Sequence, residues 1–260
     1  MKIEKALQSD IDRSDAEILL GNILKQDRTW IIAHPEYELT EKQLKEWELI
    51  VQRRKSHEPV SYITGLRAFF GRDFFVDPSV LIPRPATEEL VSITLKVFKG
   101  EKVPRITEID NGIIAFANIW GNVDSVKVIE DIGTGSGCLA VTLACELPDL
   151  TIIATDISKE ALFVAQKNAR KWNVLDRIIF KQGSGLDPLK DFDQPFLIVT
   201  NPPYIPDSET LMPDVADFEP HKALFGGIDG RDVIEVILKQ AKNHPMCVGV
   251  VMECKKLQMS

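Results

Sequence analysis

Val128-Ile129-Glu130-Asp131-Ile132-Gly133-Thr134-Gly135-Ser136-Gly137 decides the fold. Five mostly apolar residues read as a buried strand, three glycines at alternate positions read as a turn, and a helical pattern follows over about 137–147. A glycine-rich turn between strand and helix lets a ligand approach the backbone, and the helix start offers free N–H groups. Asp156 lies 21 residues after Gly135, at the end of the next expected strand, where an acid takes ribose hydroxyls. Together these features predict a ribose-bearing cofactor. The spacing is G-x-G-x-G; the dinucleotide spacing G-x-G-x-x-G would need a small residue where Cys138 stands, which weighs against a nicotinamide oxidoreductase.

Outward from this segment, strands are expected at 126–132, 151–156, 177–181, 196–200 and 247–252, and helices near 137–147, 158–172 and 230–243. This alternation predicts a mostly parallel sheet of the α/β, Rossmann-like class. At the end of the apolar run Phe196–Val199 stands Asn201-Pro202-Pro203-Tyr204. Consecutive prolines remove two N–H donors and fix φ, leaving a stiff turn whose carbonyls and Asn201 amide are free to receive a hydrogen-bond donor such as a planar –NH2 group. Taken alone, the turn does not distinguish a protein amide from a nucleic-acid amine.

Residues 1–57 read as helices. Ser14 and Glu17 fit one capping box, Thr40 and Gln43 another, each ahead of a helical apolar stripe. Pro59 stops the pattern, and a hairpin is expected at about Ala68–Phe70 and Phe74–Val76, turning at Gly71–Arg72. A helix is expected from about Ala86 to Phe98. Ile113–Trp120 has no clear period and reads as a short helix or a packed loop. The expected domains are therefore a helical substrate-recognition domain (1–57), a hairpin linker (58–82) and a catalytic domain (83–260).

Of the 260 residues, 44% are hydrophobic and 27% charged, as in an ordinary globular protein. The net charge is −8: residues 1–75 hold 12 Lys+Arg against 13 Asp+Glu, and residues 76–260 hold 19 against 26, a net of −7. An acidic catalytic half weighs against stable nucleic-acid binding, which needs cations to neutralise phosphates. The four cysteines form no C-x-x-C pair and read as free thiols, not disulfides or metal ligands, and no metal site is expected. No apolar run approaches the roughly 20 residues that span a bilayer, and a cytoplasmic monomer is expected.

Asp131-Ile132-Gly133-Thr134-Gly135-Ser136-Gly137 resembles the S-adenosylmethionine (SAM) loop of class I methyltransferases, and Asn201–Tyr204 resembles the turn of those that alkylate amide or exocyclic amino nitrogens. Glu58–Gly65, Leu81–Glu88, and Phe218–Leu224 with Gly226-Gly227 and Asp229-Gly230 closely resemble, in order, the HemK/PrmC family of release factor N5-glutamine methyltransferases. The resemblance implies SAM as cosubstrate. It implies a cofactor site of Asp131 near the methionine amine, Gly133, Thr134, Gly135, Ser136 and Gly137 around the amino-acid tail, Asp156 on the ribose, and Gly185 and Asn201. It also implies Asn201, Pro202, Pro203 and Tyr204 at the acceptor, with Asn201, Pro202 and Tyr204 catalytic. Arg84 and Glu88 would either shape the mouth of the site or form a helix-start salt bridge. The implied substrate is the glutamine of the Gly-Gly-Gln motif in class I peptide chain release factors.

The alternatives are a ribosomal-protein glutamine methyltransferase, an N6-adenine DNA methyltransferase, and a non-catalytic relative that binds SAM or release factor. Three departures from the family stand out. Ser184 replaces an acid in the adenine-side turn Gly183-Ser184-Gly185. Residues 100–125 form a long connector, and Lys255 takes a glycine position in Glu253–Gln258. The family's final antiparallel strand pair is expected to be missing, which would leave the strand at 247–252 at or near a sheet edge.

Overall fold

The computed structural model describes residues 1–110 and 112–259, and the chain divides into two compact units, one of Met1–Leu66 with Leu211–Phe218 and one of Arg67–Thr210 with Glu219–Ser260. The first unit holds α1 (Ile3–Ala6), α2 (Arg13–Leu24), α3 (Arg28–Ala33), α4 (Glu41–Lys55) and α5 (Val60–Thr64). Ile3, Leu19, Leu20, Ile31 and Trp47 form its core. The Thr40–Gln43 capping box is present at the start of α4. The one expected at Ser14 is not. Asp12 caps α2, accepting from the Ser14 N–H at 2.8 Å, while Glu17 is buried and takes Arg13 at 3.1 Å and Arg28 at 2.7 Å. An acid already holding two guanidinium groups is not available to reach back to a cap.

β1 (Leu66–Phe69) and β2 (Arg72–Phe75) form the hairpin. It turns at Phe70–Gly71, one residue earlier than expected, with both φ values positive as a tight two-residue hairpin turn requires. A 3-10 turn at Pro85–Thr87 leads into α6 (Glu88–Phe98). Next come β3 (Ile106–Asp110), β4 (Ile113–Ile119), β5 (Val128–Ile132), α7 (Cys138–Glu146), β6 (Thr151–Asp156), α8 (Lys159–Lys171), β7 (Ile178–Gln182) and β8 (Phe196–Thr200). After the short α9 (Pro213–Ala216), α10 (Asp232–Asn243) and β9 (Cys247–Lys255) follow.

The main sheet runs β3-β4-β9-β8-β5-β6-β7. β9, β8, β5, β6 and β7 are mutually parallel, and β4 is antiparallel to both β9 and β3. This is the mostly parallel, Rossmann-like sheet of class I methyltransferases. Two expectations are corrected. Residues 113–119 are a strand, neither helix nor loop. And β9 is not an edge, because β4 pairs along it from Ile113↔Lys255 to Ile119↔Gly249. The sheet's antiparallel pair comes from the long connector, ahead of the first parallel strand. This satisfies the backbone groups that an open edge would expose.

Apolar side chains cover both faces. Along β8, Leu197 and Val199 enter one core with Leu90, Ile93, Leu139 and Leu143, while Phe196 and Ile198 enter another with Ile234, Ile237 and Met252. Strands buried on both faces read as continuous apolar runs rather than alternating ones. β4 behaves the same way: Ala115 and Ala117 face the first core, Ile114 and Phe116 the second.

Candidate active site

β5 has β6 on one side and β8 on the other. The chain therefore leaves the C-terminal ends of β5 and β8 in opposite directions, which opens a crevice typical of ligand sites in such sheets. Ile132 is level with Thr155 on β6 and Thr200 on β8, so the glycine loop, Asp156 and Asn201 emerge side by side. Thr200 Oγ1 donates to the Ile132 carbonyl at 2.7 Å, tying the roots of the two loops together.

Gly133, Gly135 and Gly137 all have positive φ, between 54° and 78°, which only glycine adopts without strain. A Cβ at Gly133 would meet nothing within 4 Å, so the loop borders open space there. A Cβ at Gly137 would lie 2.9 Å from Ala165 Cβ, so this glycine also lets α7 approach α8. Asp156 caps the loop from the next strand: one oxygen accepts from Gly135 N at 2.9 Å and the other from Ser158 N at 2.9 Å. Burial pushes its carboxyl up against those backbone bonds.

Asp131 is buried beneath the loop. Its Oδ2 accepts from Thr134 Oγ1 at 2.7 Å and from Ala140 N at 3.1 Å, whereas its Oδ1 is buried with no hydrogen-bond partner among the described residues. Desolvation raises its pKa to about 7, against the hydrogen bonds from Thr134 and Ala140. An orphaned carboxylate oxygen beside a glycine cradle suits a ligand carrying an ammonium group, as the amino-acid tail of SAM does. In the third loop, Gly183 N donates to the Asp156 carbonyl at 3.0 Å. A Cβ at Gly185 would lie 2.2 Å from Gln240 Oε1.

The second loop is built differently. Asn201 Nδ2 donates to Thr87 Oγ1 at 2.9 Å. Tyr204 OH donates to Glu253 Oε1 at 2.8 Å, and burial first, then the charge and hydrogen bond of Glu253, push the phenol pKa up. Gln258 Nε2 donates to the Tyr204 carbonyl at 2.8 Å and the Gly230 carbonyl at 3.1 Å. Gly226 and Gly230 exist for close approach, since a Cβ would sit 2.6 Å from the Pro203 carbonyl oxygen or 2.2 Å from that of Tyr204. Lys255, in the expected glycine position, adopts ordinary strand geometry and pairs with Glu209.

Arg84 and Glu88 separate in role. Arg84 pairs with buried Glu219 at 2.6 Å, and Glu219 also accepts from Ile82 N at 3.1 Å. Glu88 accepts from Phe70 N at 2.9 Å and so steadies the β1–β2 hairpin. Three further residues carry the site without having been singled out from sequence: Thr87, Glu253 and Asn168. Buried Asn168 donates to Ser136 O at 2.8 Å and Phe75 O at 2.9 Å, joining α8, the glycine loop and β2. The sequence signals for Thr87 and Glu253 were the resembling segments that contain them.

Residues 3–65 match the PrmC N-terminal domain and residues 97–217 the methyltransferase small domain. The chain is 38% identical over 249 residues to a release factor glutamine methyltransferase of Koribacter versatilis, covering 94% of this chain and 79% of that one. The chain belongs to the release factor glutamine methyltransferase family. The Staphylococcus aureus enzyme of that description is 34% identical over 245 residues, covering 92% of this chain and 78% of that one. A bifunctional methyltransferase of Rickettsia typhi is 38% identical over 237 residues; that match spans 88% of this chain but 43% of the larger protein. As a member of the family, this methyltransferase uses SAM as its methyl donor. Among the described residues no helix is long and apolar enough to cross a membrane.

Proposed function

We propose that the chain transfers a methyl group from SAM to the side-chain nitrogen of the glutamine in the Gly-Gly-Gln motif of class I peptide chain release factors. The observation that carries this reading is the pairing, on adjacent strands, of a cofactor loop with a donor-poor turn whose Asn201 amide is held by its nitrogen. Asn201 Oδ1 makes no hydrogen bond to another described residue. It and the Pro202 carbonyl form an acceptor pair suited to a planar –NH2 group.

In this reading Asp131 takes the amino end of SAM, Gly133 to Gly137 line its tail, Asp156 takes ribose hydroxyls, and Gly185 belongs to the adenine side. Bound SAM supplies an electrophilic methyl and its own leaving group. The protein's task is to place the acceptor. An amide nitrogen is a weak nucleophile, so orientation is the larger contribution, up to roughly 7–11 kcal/mol in well-oriented systems. Asn201 Oδ1 and the Pro202 carbonyl would hold both N–H bonds of the glutamine and favour positive charge as it develops on nitrogen. The Tyr204 hydroxyl is committed to Glu253, so its share, with Pro203, is packing against the planar amide. No strong base is required, because the proton can leave after transfer.

Residues 1–57 would recognise the release factor, with 58–82 as linker and 83–260 as the catalytic domain. The enzyme would work as a cytoplasmic monomer. Offering a release factor and an adenine-containing DNA duplex side by side, with mass spectrometry to locate the methyl group, tests the reading. Methyl on the glutamine alone is expected; methyl on adenine would overturn it.

A further inference from the structure

Three side chains from separate parts of the chain meet behind the acceptor turn. Thr87, buried just ahead of α6, donates its hydroxyl to Glu253 Oε2 at 2.8 Å. Glu253, on β9, has no exposed surface, and its other oxygen takes the Tyr204 hydroxyl. Asn201 donates to the same Thr87 oxygen at 2.9 Å. A buried acid between two hydroxyls is more than a core polar group needs, and burying it costs free energy unless the bonds serve a purpose. Desolvation pushes Glu253 up, opposed by hydrogen bonds from Tyr204, Thr87 and Asn201 and by the charge of Arg84.

We infer that Glu253 and Thr87 are positioning residues that set which end of the Asn201 amide faces the acceptor. The reasoning is one of donor counting. A carboxylate only accepts, and a threonine hydroxyl has a single proton. With that proton given to Glu253, Thr87 can only accept from Asn201, and the Glu253 carboxylate beside it can likewise only accept, so Asn201 must turn its –NH2 inward and its carbonyl oxygen outward. Without the carboxylate the hydroxyl could equally donate to Asn201, and the amide could rotate end for end. The outward oxygen selects an acceptor that donates hydrogen bonds, glutamine rather than glutamate. The relay therefore determines specificity between two side chains of nearly equal shape. Tyr204, bonded to the same carboxylate, is held by the same anchor.

This inference rests on the proposed glutamine acceptor, so its test separates the two. Thr87→Val keeps the side-chain shape and removes the hydroxyl; Thr87→Ser keeps the hydroxyl. Inhibition by matched peptides containing Gly-Gly-Gln or Gly-Gly-Glu measures selectivity in the wild type, Thr87→Val, Thr87→Ser and Glu253→Gln. Calorimetric SAM binding checks that each variant is folded. Thr87→Val is expected to narrow the glutamine preference by roughly 10- to 100-fold, the range for one unsatisfied buried hydrogen-bonding group. Glu253→Gln should narrow it less and Thr87→Ser should restore it, with SAM affinity unchanged throughout. The Asn201 side-chain –NH2 resonance in 15N-labelled protein reads the same relay without any substrate, and it should move in Thr87→Val and return in Thr87→Ser. A resonance and a selectivity that both stay put in Thr87→Val and Glu253→Gln would overturn the inference. Absence of wild-type transfer to the release factor would instead overturn the functional reading, leaving the resonance to decide the relay.

Discussion

The loop after β5 and the turn after β8 leave neighbouring strands at the same level, yet they are made from opposite materials. The first is glycine, with positive φ at three positions and, at Gly133, open space where a side chain would be. It leads into the start of α7 and covers a carboxylate oxygen, Asp131 Oδ1, that has no hydrogen-bond partner among the described residues. The second is proline, stripped of donors and pinned from behind by Thr87, Glu253 and Gln258. In the proposed function, one would wrap a flexible ligand with charge at one end, and the other would offer fixed acceptors to a small planar group. Catalysis of methyl transfer needs both, because the donor must be gripped and the acceptor aimed.

The comparison breaks most visibly at Asn201. Asn201→Ala should lower kcat for methyl transfer by about 10²–10³, the size of losing one preorganised polar group at a reacting centre. SAM binding, read by calorimetry, should be retained. Asp131→Asn should act on the other side alone, weakening SAM binding roughly 10- to 100-fold through loss of a charged hydrogen-bond partner.

Because burial raises Asp131 to about 7, its charged form is lost as pH falls through that value. SAM affinity should weaken below pH 7, approaching tenfold per pH unit, and titration calorimetry on Asp131→Asn should give a flatter profile. The smallest effect belongs to Tyr204→Phe. It removes one of the two hydroxyls on Glu253 and should reduce kcat about fivefold with SAM binding unaffected, as steady-state kinetics would register.

The two loops also differ in how far they could be read in advance. Both advertise themselves, because glycines that need positive φ and prolines that fix it leave a local mark. What holds the second loop does not. Thr87 lies 114 residues from Asn201 and 166 from Glu253, and no local pattern joins residues so far apart. β4 escaped for another reason. Its residues are buried on both faces by turns, so the two-residue alternation that marks a half-exposed strand is missing. With it went the correct expectation for β9, whose outer edge depends on β4. At α2, Glu17 has the spacing of a capping box, but its carboxylate pairs with Arg13 and Arg28 instead.

The most direct test is transfer of a labelled methyl group from SAM to a purified release factor, beside the same factor with the glutamine of its Gly-Gly-Gln motif replaced by alanine. Label in the first and none in the second is the expected result. Label that persists without the glutamine would contradict the assignment of the Asn201–Tyr204 turn to that side chain.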